Sequence, residues 1–221
     1  MDNLAIGRRR MGRLMGLGAG VAVFGGMTLS TVAAQAAAEQ ADLIRRANVV
    51  MDESMHDPEF GTAPQLFQTC KAVMVVPQLV KGGFFFGGEG GNGVLLARTS
   101  GRTGWSNPAF YMIGSASFGL QIGIEVAEVV LFVMTDRALN AWLQDEVKLG
   151  AQAGLTVLVV GSGAEAATTT HPGVDVIAWA KAKGAYAGLT LEGSIIKPRN
   201  EWNTAYYGHP VSPRHVLHMT A

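Results

Sequence analysis

The chain has 221 residues, of which 48% are hydrophobic, 15% are charged and 29 are glycine. These values fit a globular, strand-rich domain with a substantial core and exclude a disordered or collagen-like chain. Its 17 basic and 17 acidic residues balance. Without residues 1–36, which hold four basic residues and one acidic residue, the net charge becomes about −3, so we expect no nucleic-acid partner.

The N-terminal segment has the order of an export signal. An arginine cluster at residues 8–13 precedes an uncharged, apolar stretch over residues 14–34 and the small-residue sequence Ala34-Gln35-Ala36. We therefore predict a signal peptide over residues 1–36, or to residue 38, of the Sec or twin-arginine type. Cleavage would leave a protein exported to the periplasm or the envelope membrane, whereas an uncleaved membrane anchor is the alternative.

Cys70 is the single cysteine, and it lies far from the predicted cleavage region. An intramolecular disulfide is therefore excluded, and we expect that the protein is not a lipoprotein. Its apolar neighbours, such as Phe67 and Val73, predict a buried and inert thiol rather than a catalytic one.

Two helices are predicted before the first strand. Apolar residues at helical spacing predict a helix over residues 39–55, and Pro58 follows its end. Pro64 predicts the start of a second, short helix that ends near Cys70, because proline is well tolerated in the first helical turn.

Strand signals dominate the next segment. A β-branched run over residues 72–76 predicts a strand that Pro77 stops, because proline cannot donate a ladder hydrogen bond. The glycine-rich residues 87–93 predict a hairpin link between strands at residues 82–86 and 94–98.

The longest strand signal alternates over residues 115–126. Apolar side chains fall on one face, and the other face is small or polar, with glycine at positions 119 and 123. Because glycine weakens a strand, its repetition predicts sheet curvature, or else close approach by another backbone or a ligand. Gln121, between the two glycines, is a polar group that needs a partner.

The C-terminal half continues the alternation of elements. An apolar run over residues 129–134 predicts a buried strand, and Thr135 or Asp136 predicts the N-cap of a helix. Further strands are predicted at residues 151–160 and, as a pair, at residues 175–181 and 185–196, before an irregular tail over residues 209–221. The predicted fold is α+β, with a predominantly antiparallel, barrel- or sandwich-like sheet and a few flanking helices.

No catalytic or metal-binding constellation stands out. Residues 88–93 match G-x-G-x-x-G, but a predicted strand rather than a helix follows them, so a turn is favoured over a nucleotide site. The five histidines are scattered, and no G-x-S-x-G or phosphate-loop sequence is present. We therefore predict no enzymatic activity, no metal and no cofactor.

Five segments, in chain order, resemble the SYLF family, also called the Ysc84-type lipid-binding domain. They are LVKGGFFFGGEGGNGVLLAR at residues 79–98, GWSNPAF at 104–110, FGLQIGIEVAEVVLFVMT at 118–135, KGAYAGLTLEGSII at 183–196 and NTAYYG at 203–208. No single segment is decisive, but their order is specific. The resemblance implies one SYLF-like domain over residues 37–208.

The resemblance also implies a non-enzymatic domain that binds lipid. Eukaryotic relatives are associated with phosphoinositides, membrane remodelling and actin, whereas bacterial relatives are exported proteins of poorly defined role. For this chain we expect binding of a phospholipid or phosphoinositide-type lipid at the cell-envelope membrane. The alternative is a structural or protein-interaction module of the envelope, with a protein partner that the sequence does not identify.

Basic and aromatic residues are the candidates for lipid contact. Basic side chains can hold phosphate, and phenylalanines beside glycines can insert into a membrane interface. The competing interpretations are a solvated surface for the first set and core packing for the second. The headgroup candidates are Lys71, Lys81, Lys181, Lys183, Lys197 and Arg199, and the apolar candidates are Phe84, Phe85 and Phe86.

Overall fold

The structure is a computed structural model that describes residues 21–83, 86–99, 104–118, 123–144, 146–150, 154–161, 173–183 and 191–218. The chain divides into two compact units, residues 1–35 and residues 36–221. In the first unit, residues 21–35 are helical; the second unit holds the sheet. Among the helices in this described part, none is both long enough and apolar enough to cross a bilayer.

The helices lie before, within and after the strands. A short 3-10 turn, Pro58–Phe60, links the first two helices. The helices are α1 (Val21–His56), α2 (Ala63–Thr69), α3 (Asp136–Trp142), α4 (Asn200–Tyr207) and α5 (Pro213–His218). The predicted helix starts at Pro64 and Thr135 are confirmed: proline occupies the first turn of α2, and Thr135 Oγ1 accepts a hydrogen bond from the Ala138 N–H at 3.1 Å.

Eight strands form one sheet that curls into a half-barrel. They are β1 (Ala72–Gly83), β2 (Phe86–Ala97), β3 (Ala109–Phe118), β4 (Gly123–Val133), β5 (Val147–Lys148), β6 (Val157–Gly161), β7 (Val176–Lys183) and β8 (Ile195–Pro198). Their order is β5-β8-β3-β2-β1-β4-β7-β6, and every pair is antiparallel except the parallel pair β6–β7. The predicted α+β class with a predominantly antiparallel sheet is confirmed.

Each face of the sheet carries a hydrophobic cluster. On one face, called the α1 face, Leu43 of α1 belongs to the cluster that includes Val75 and Phe132. On the opposite face, called the α5 face, Val216 of α5 belongs to the cluster that includes Leu131. Because β4 is covered on both faces, its residues alternate between the two clusters, which explains its continuous apolar run.

Strand β1 passes through Pro77 instead of ending there, so the predicted strand end is wrong. The register shifts beside Pro77, between Val75 and Gln78 on the β2 side and between Val76 and Leu79 on the β4 side. A β-bulge leaves a residue outside the ladder, and proline, which has no N–H to donate, is tolerated at such a position.

The glycine-rich residues 87–93 lie inside strand β2 rather than in a turn, which corrects the predicted hairpin link. A Cβ atom at Gly91 would lie 2.6 Å from the Gln78 carbonyl oxygen, and one at Gly93 would lie 2.6 Å from Met74 Cε. The bulged strand β1 therefore approaches β2 so closely that its backbone excludes a side chain at Gly91, whereas at Gly93 the nearest atom is the flexible end of Met74. This strand conformation also removes the nucleotide-loop interpretation of the G-x-G-x-x-G match.

The alternating residues 115–126 belong to two strands, which corrects the prediction of one continuous strand. Strand β3 ends at Phe118 and pairs with β2 and β8, whereas β4 begins at Gly123 and pairs with β1 and β7. Strands β1 and β2 therefore separate them in the sheet. Gly119 and Gln121 fall outside the described residues, and a period of two does not itself mark where one strand stops.

Two C-terminal predictions also differ from the structure. Strand β8 pairs with β3 and β5, so the predicted pairing of residues 175–181 with 185–196 is wrong for the described residues 195–196. Residues 213–218, expected within an irregular tail, form α5, whose Val216 and Leu217 are buried. Burial against the α5 face stabilises this short helix, which a pattern of six residues cannot predict.

Candidate functional site

An apolar pocket of about 450 Å³ lies on the α1 face between helix α1 and strands β1 and β2. Its volume and its apolar lining are those of pockets that bind small organic ligands. The lining residues are Ile44, Ala47, Asn48, Met51, Phe67, Val73, Val75, Val94, Leu96, Trp105, Pro108 and Tyr206.

An aromatic pair forms one wall of this pocket. The rings of Phe67 and Trp105 stack with their centroids 4.9 Å apart, and the Arg98 guanidinium lies 4.6 Å from the Trp105 ring centroid. Arg98 also donates hydrogen bonds to the carbonyl oxygens of Phe67, at 2.6 Å, and Cys70, at 3.2 Å. Arg98 therefore fixes the end of α2 and the aromatic wall together.

A buried asparagine of helix α4 attaches this helix to strand β3 beside the pocket. Asn203 Oδ1 accepts the Phe110 N–H at 2.8 Å, and Asn203 Nδ2 donates to the Phe110 carbonyl oxygen at 3.2 Å. The Tyr207 hydroxyl donates to the Pro108 carbonyl oxygen at 2.6 Å. These hydrogen bonds therefore join the segments GWSNPAF and NTAYYG, and both segments contribute residues to the pocket lining.

We expect the substitution Asn203→Ala to lower the free energy of unfolding by about 2 kcal/mol, because the buried Phe110 N–H loses its partner. Urea unfolding followed by tryptophan fluorescence measures this loss. Asn200→Ala, at an exposed position of the same helix, is the control and should change the stability by less than about 0.5 kcal/mol. Equal losses for the two variants would contradict the role of Asn203.

Two arginines donate hydrogen bonds to facing residues of strands β1 and β2 near the apolar pocket, and we call them the arginine pair. Arg46 of α1 donates to Gln78 Oε1 at 3.2 Å, and Arg199 donates to Asn92 Oδ1 at 2.9 Å. Gln78 and Asn92 lie opposite each other in the β1–β2 register, so their Cβ atoms are about 5 Å apart. The register therefore places the acceptors of the two guanidinium groups beside each other on the α1 face.

A second, polar pocket of about 250 Å³ contains Arg46 of this pair. Asn92, in its lining, is two residues from Val94 in the apolar pocket, a distance of about 7 Å along β2. The polar pocket and the apolar pocket therefore lie next to each other along strand β2. The polar pocket is lined by Leu43, Arg46, Gln78, Val80, Gly90, Gly91 and Asn92.

The local charge around the arginine pair is positive. Asp42 forms ion pairs with both Arg45 and Arg46, the latter at 2.8 Å. The hydrogen bond from Arg45 is the chief cause that holds the pKa of Asp42 below its usual value. One carboxylate is thus shared by two guanidinium groups, and Arg199, stacked 4.1 Å from the Trp202 ring centroid, adds a third cation.

The structure does not gather the six predicted headgroup residues. Lys71 precedes β1 and Lys81 lies near the end of that strand, about 30 Å away. Lys71 forms an ion pair with Asp136 at 3.3 Å, and Lys181 forms one with Glu53 at 3.2 Å. Each of these two lysines is therefore paired with one carboxylate, as Arg46 is with Asp42.

The other residues predicted to contact lipid lie in several different places. Arg199 belongs to the arginine pair, and Lys197 is exposed on β8. Lys183 ends β7, but its side chain falls outside the description. Phe84 and Phe85 lie outside the described residues, and Phe86 begins β2 with a side chain that is likewise outside the description.

Arg46 is the site residue that the sequence prediction missed. It lies in the predicted helix over residues 39–55, three positions after the buried Leu43 and four after Asp42. This spacing places Arg46 beside the buried stripe of the helix and could have marked it as a partly buried cation.

The predicted inert Cys70 is buried, and that burial raises the pKa of its thiol to about 11. Among the described residues, no three His, Cys, Asp or Glu side chains group as metal ligands do.

Comparisons with known proteins place these features in a family. Residues 114–221 match the family model described as "Ysc84: Las17-binding protein actin regulator". LAS seventeen-binding protein 3 of Saccharomyces cerevisiae is 31% identical over 157 residues, which cover 70% of this chain and 34% of that protein. SH3 domain-containing YSC84-like protein 1 of Xenopus laevis is 30% identical over 156 residues, which cover 70% of this chain and 46% of that protein.

The chain thus spans less than half the length of these curated relatives. The family match begins inside β3 and includes α4, whose Asn203 and Tyr207 hold the backbone at the pocket. The ordered segments, the family match and the similarity to these relatives agree. We conclude that the chain belongs to the Ysc84 family, which is the SYLF family.

Proposed function

We propose that this domain binds a phospholipid without catalysing a reaction, with an acyl chain in the apolar pocket and the phosphate at the arginine pair. The observation that carries the proposal is the apolar pocket of about 450 Å³ beside the arginine pair. A phospholipid has the same order of parts, an apolar chain joined to a charged phosphate. Phosphoinositides belong to this class of ligand.

The chemistry of the arginine pair supports a phosphate ligand. Guanidinium groups are planar, remain charged and present paired N–H donors that match phosphate oxygens. Gln78 and Asn92 accept hydrogen bonds from the two arginines and thereby orient both groups before a ligand arrives. Such prior orientation lowers the entropy cost of binding.

The proposal places the domain at the cell-envelope membrane, after export and removal of residues 1–36. Fractionation of cells that produce the full chain, with N-terminal sequencing of the product, tests this localisation. Detection of the intact chain only in the cytosol would contradict it.

We expect the mature domain to co-sediment with liposomes, and we expect Ala47→Leu to weaken that binding at least threefold. Ala47 lines the apolar pocket, so the larger side chain would occupy space that the acyl chain needs. Ala41→Leu, at an exposed position of the same helix, is the matched control and should bind like the wild type. Failure of the wild type to bind any lipid composition at low salt would overturn the proposal.

The same liposomes test the arginine pair. Arg46→Gln and Arg199→Gln should each reduce the preference for anionic over zwitterionic liposomes, because each removes a phosphate donor. Arg45→Gln removes the same charge from the neighbouring position, where the side chain is 71% exposed, and should have the smaller effect. Equal effects of the Arg45 and Arg46 substitutions would show that the preference for anionic liposomes depends only on net charge and would contradict a specific role of Arg46.

Protein binding at the same pocket is the second candidate function. Its support is that relatives are named for binding Las17, and that the aromatic wall of Phe67 and Trp105 resembles grooves that hold extended peptides. A peptide that displaces a lipid probe from the wild type, with no liposome binding, would favour this alternative.

A further inference from the structure

The polar pocket lies farther along strand β2 than the arginine pair, on the side away from the apolar pocket. Along β2, Val94 lines the apolar pocket, Asn92 accepts the hydrogen bond from Arg199, and Gly90 lines the polar pocket. Successive members of this series are two positions and about 7 Å apart, so all three lie on the α1 face. In a phospholipid, the headgroup is joined to the phosphate on the side away from the acyl chains. A lipid with an acyl chain in the apolar pocket and its phosphate at the arginine pair therefore has its headgroup in the polar pocket.

The described lining of the polar pocket holds one charged side chain, Arg46, and no carboxylate. Asp42, which contacts Arg46, is held in ion pairs with Arg45 and Arg46. An ammonium group in this pocket would meet a like charge without a carboxylate to pair with, and such an unpaired charge selects against a ligand that carries it. With Arg46 directed to the phosphate, the pocket therefore favours an uncharged headgroup.

Two side-chain amides give the pocket hydrogen-bond donors for hydroxyl groups. Gln78 Oε1 accepts from Arg46, and Asn92 Oδ1 accepts from Arg199. A guanidinium group only donates, so both amide oxygens must face the arginines, and both amide NH₂ groups are left as donors. Within the described residues, neither NH₂ group donates to a protein acceptor. The hydroxyl oxygens of a headgroup can accept these bonds.

Gly90 keeps the floor of the polar pocket open. Glycine inside a strand costs stability, but neither packing nor backbone conformation requires it here. A Cβ atom at Gly90 would lie 4.0 Å from the Ile113 carbonyl oxygen, an ordinary contact, and its φ is not positive. A side chain at this exposed position would instead extend into the pocket. Glycine in a strand often marks a place where a ligand comes close to the backbone, and that explanation fits Gly90.

The size and the apolar part of the lining fit a small polyol. The pocket volume of about 250 Å³ equals that of roughly eight water molecules. Leu43 and Val80, of which Val80 is 39% exposed, offer apolar contacts. A polyol has C–H groups for such contacts and hydroxyl groups for the amides.

We propose that the polar pocket binds an uncharged polyol headgroup, such as glycerol, of the lipid whose phosphate lies at the arginine pair. This inference rests on the proposed function and adds the class of headgroup. Gln78 and Asn92 bind the hydroxyl groups, Gly90 leaves the space, and the absence of a carboxylate from the described lining disfavours headgroups that carry an ammonium group.

Two kinds of liposome of equal charge test the proposal. Both contain phosphatidylcholine with the same fraction of an anionic lipid, either phosphatidylglycerol, which has a polyol headgroup, or phosphatidylserine, which carries an ammonium group. The acyl chains are identical, and both anionic lipids carry one net negative charge at pH 7, so attraction by net charge is matched. The wild type should bind the phosphatidylglycerol liposomes about fivefold more tightly.

Gly90→Val fills the polar pocket and should remove this preference. Its binding to phosphatidylserine liposomes should stay at the wild-type level, which also shows that the variant is folded. Gly61→Val is the matched control, because a Cβ atom there would meet no atom within 4 Å and Gly61 lines neither pocket. It should keep the preference for phosphatidylglycerol.

Soluble glycerophosphoglycerol, which has the headgroup without acyl chains, should displace the liposomes only at concentrations far above that of the lipid. Displacement at equal concentrations would overturn the assignment to a lipid headgroup. Equal binding of the wild type to both liposomes, a preference that persists in Gly90→Val, or loss of binding to both liposomes in that variant would overturn the headgroup assignment and leave the proposed function standing. Failure of the wild type to bind any liposome would overturn both.

Discussion

The substitution Asp175→Ala is expected to lower the free energy of unfolding at pH 7 by about 3 kcal/mol, because it removes a buried acceptor and leaves several partly buried donors without a partner. Asp175 is 1% exposed. Its carboxylate accepts hydrogen bonds from Thr135 Oγ1 at 2.6 Å, from the Thr156 N–H at 3.0 Å and from Arg137. The residue therefore ties the N-cap of α3, the segment before β6 and the start of β7 together.

The same carboxylate makes the stability depend on pH. Burial raises the pKa of Asp175, but hydrogen bonds from Thr135, Thr156 and Arg137 outweigh burial and hold the pKa below its usual value. A lowered pKa stabilises the folded state above the unfolded-state value of about 3.9, and this contribution is lost as the pH falls through the folded-state pKa. The wild type should therefore lose stability below about pH 4, and Asp175→Ala should lack that component.

Urea unfolding at pH 7 and at several values between pH 5 and pH 3 measures both effects. Asp52→Ala is the control, because the Asp52 side chain is 78% exposed and its pairing with His56 contributes little. The role of Asp175 would be contradicted if its substitution lowered the stability no more than the control does, or if the acid-dependent loss persisted unchanged in the variant.

Gly91→Ala is expected to lower the free energy of unfolding by about 3 kcal/mol, or to prevent folding, because overpacking displaces the backbone. The new methyl group would lie 2.6 Å from the Gln78 carbonyl oxygen and 2.8 Å from Val76 Cγ1. Neither atom is at the end of a long flexible side chain, since both belong to the bulged part of β1. The bulge and Gly91 therefore depend on each other.

Gly90→Ala provides the matched control one position earlier on the same strand. A Cβ atom there would lie 4.0 Å from the Ile113 carbonyl oxygen, which is an ordinary contact. Its stability should stay within about 0.5 kcal/mol of the wild type, because alanine loses less backbone entropy than glycine on folding. Chemical denaturation measures the free energies of unfolding of both variants. Equal values would show that β1 does not crowd Gly91.

Periodicity and capping predicted the local elements well. Helical spacing over residues 39–55 and proline or threonine at helix starts depend on neighbouring residues, so the sequence expresses them directly. The continuous apolar run over residues 129–134 likewise predicted a strand buried on both faces, which is β4. The five ordered segments predicted that the chain belongs to the SYLF family, and the comparisons confirm this.

Strand limits and partners were harder to predict. Pro77 stops an ordinary strand but not a bulged one, and the glycines of residues 87–93 are common in both turns and crowded strands. The distinction depends on how closely β1 approaches β2, which is a property of the pair. A local pattern does not contain that distance.

The sequence by itself determined the α+β class, the burial of the single cysteine and the family, because each depends on residue type and order along the chain. Only the tertiary structure decided where the cations lie. It separated Lys71 from Lys81 by about 30 Å, and it gave neighbouring acceptors to Arg46 of α1 and to Arg199, which is 153 positions later in the chain. The physical reason is the β1–β2 register, which sets Gln78 opposite Asn92 and so gives both guanidinium groups adjacent acceptors.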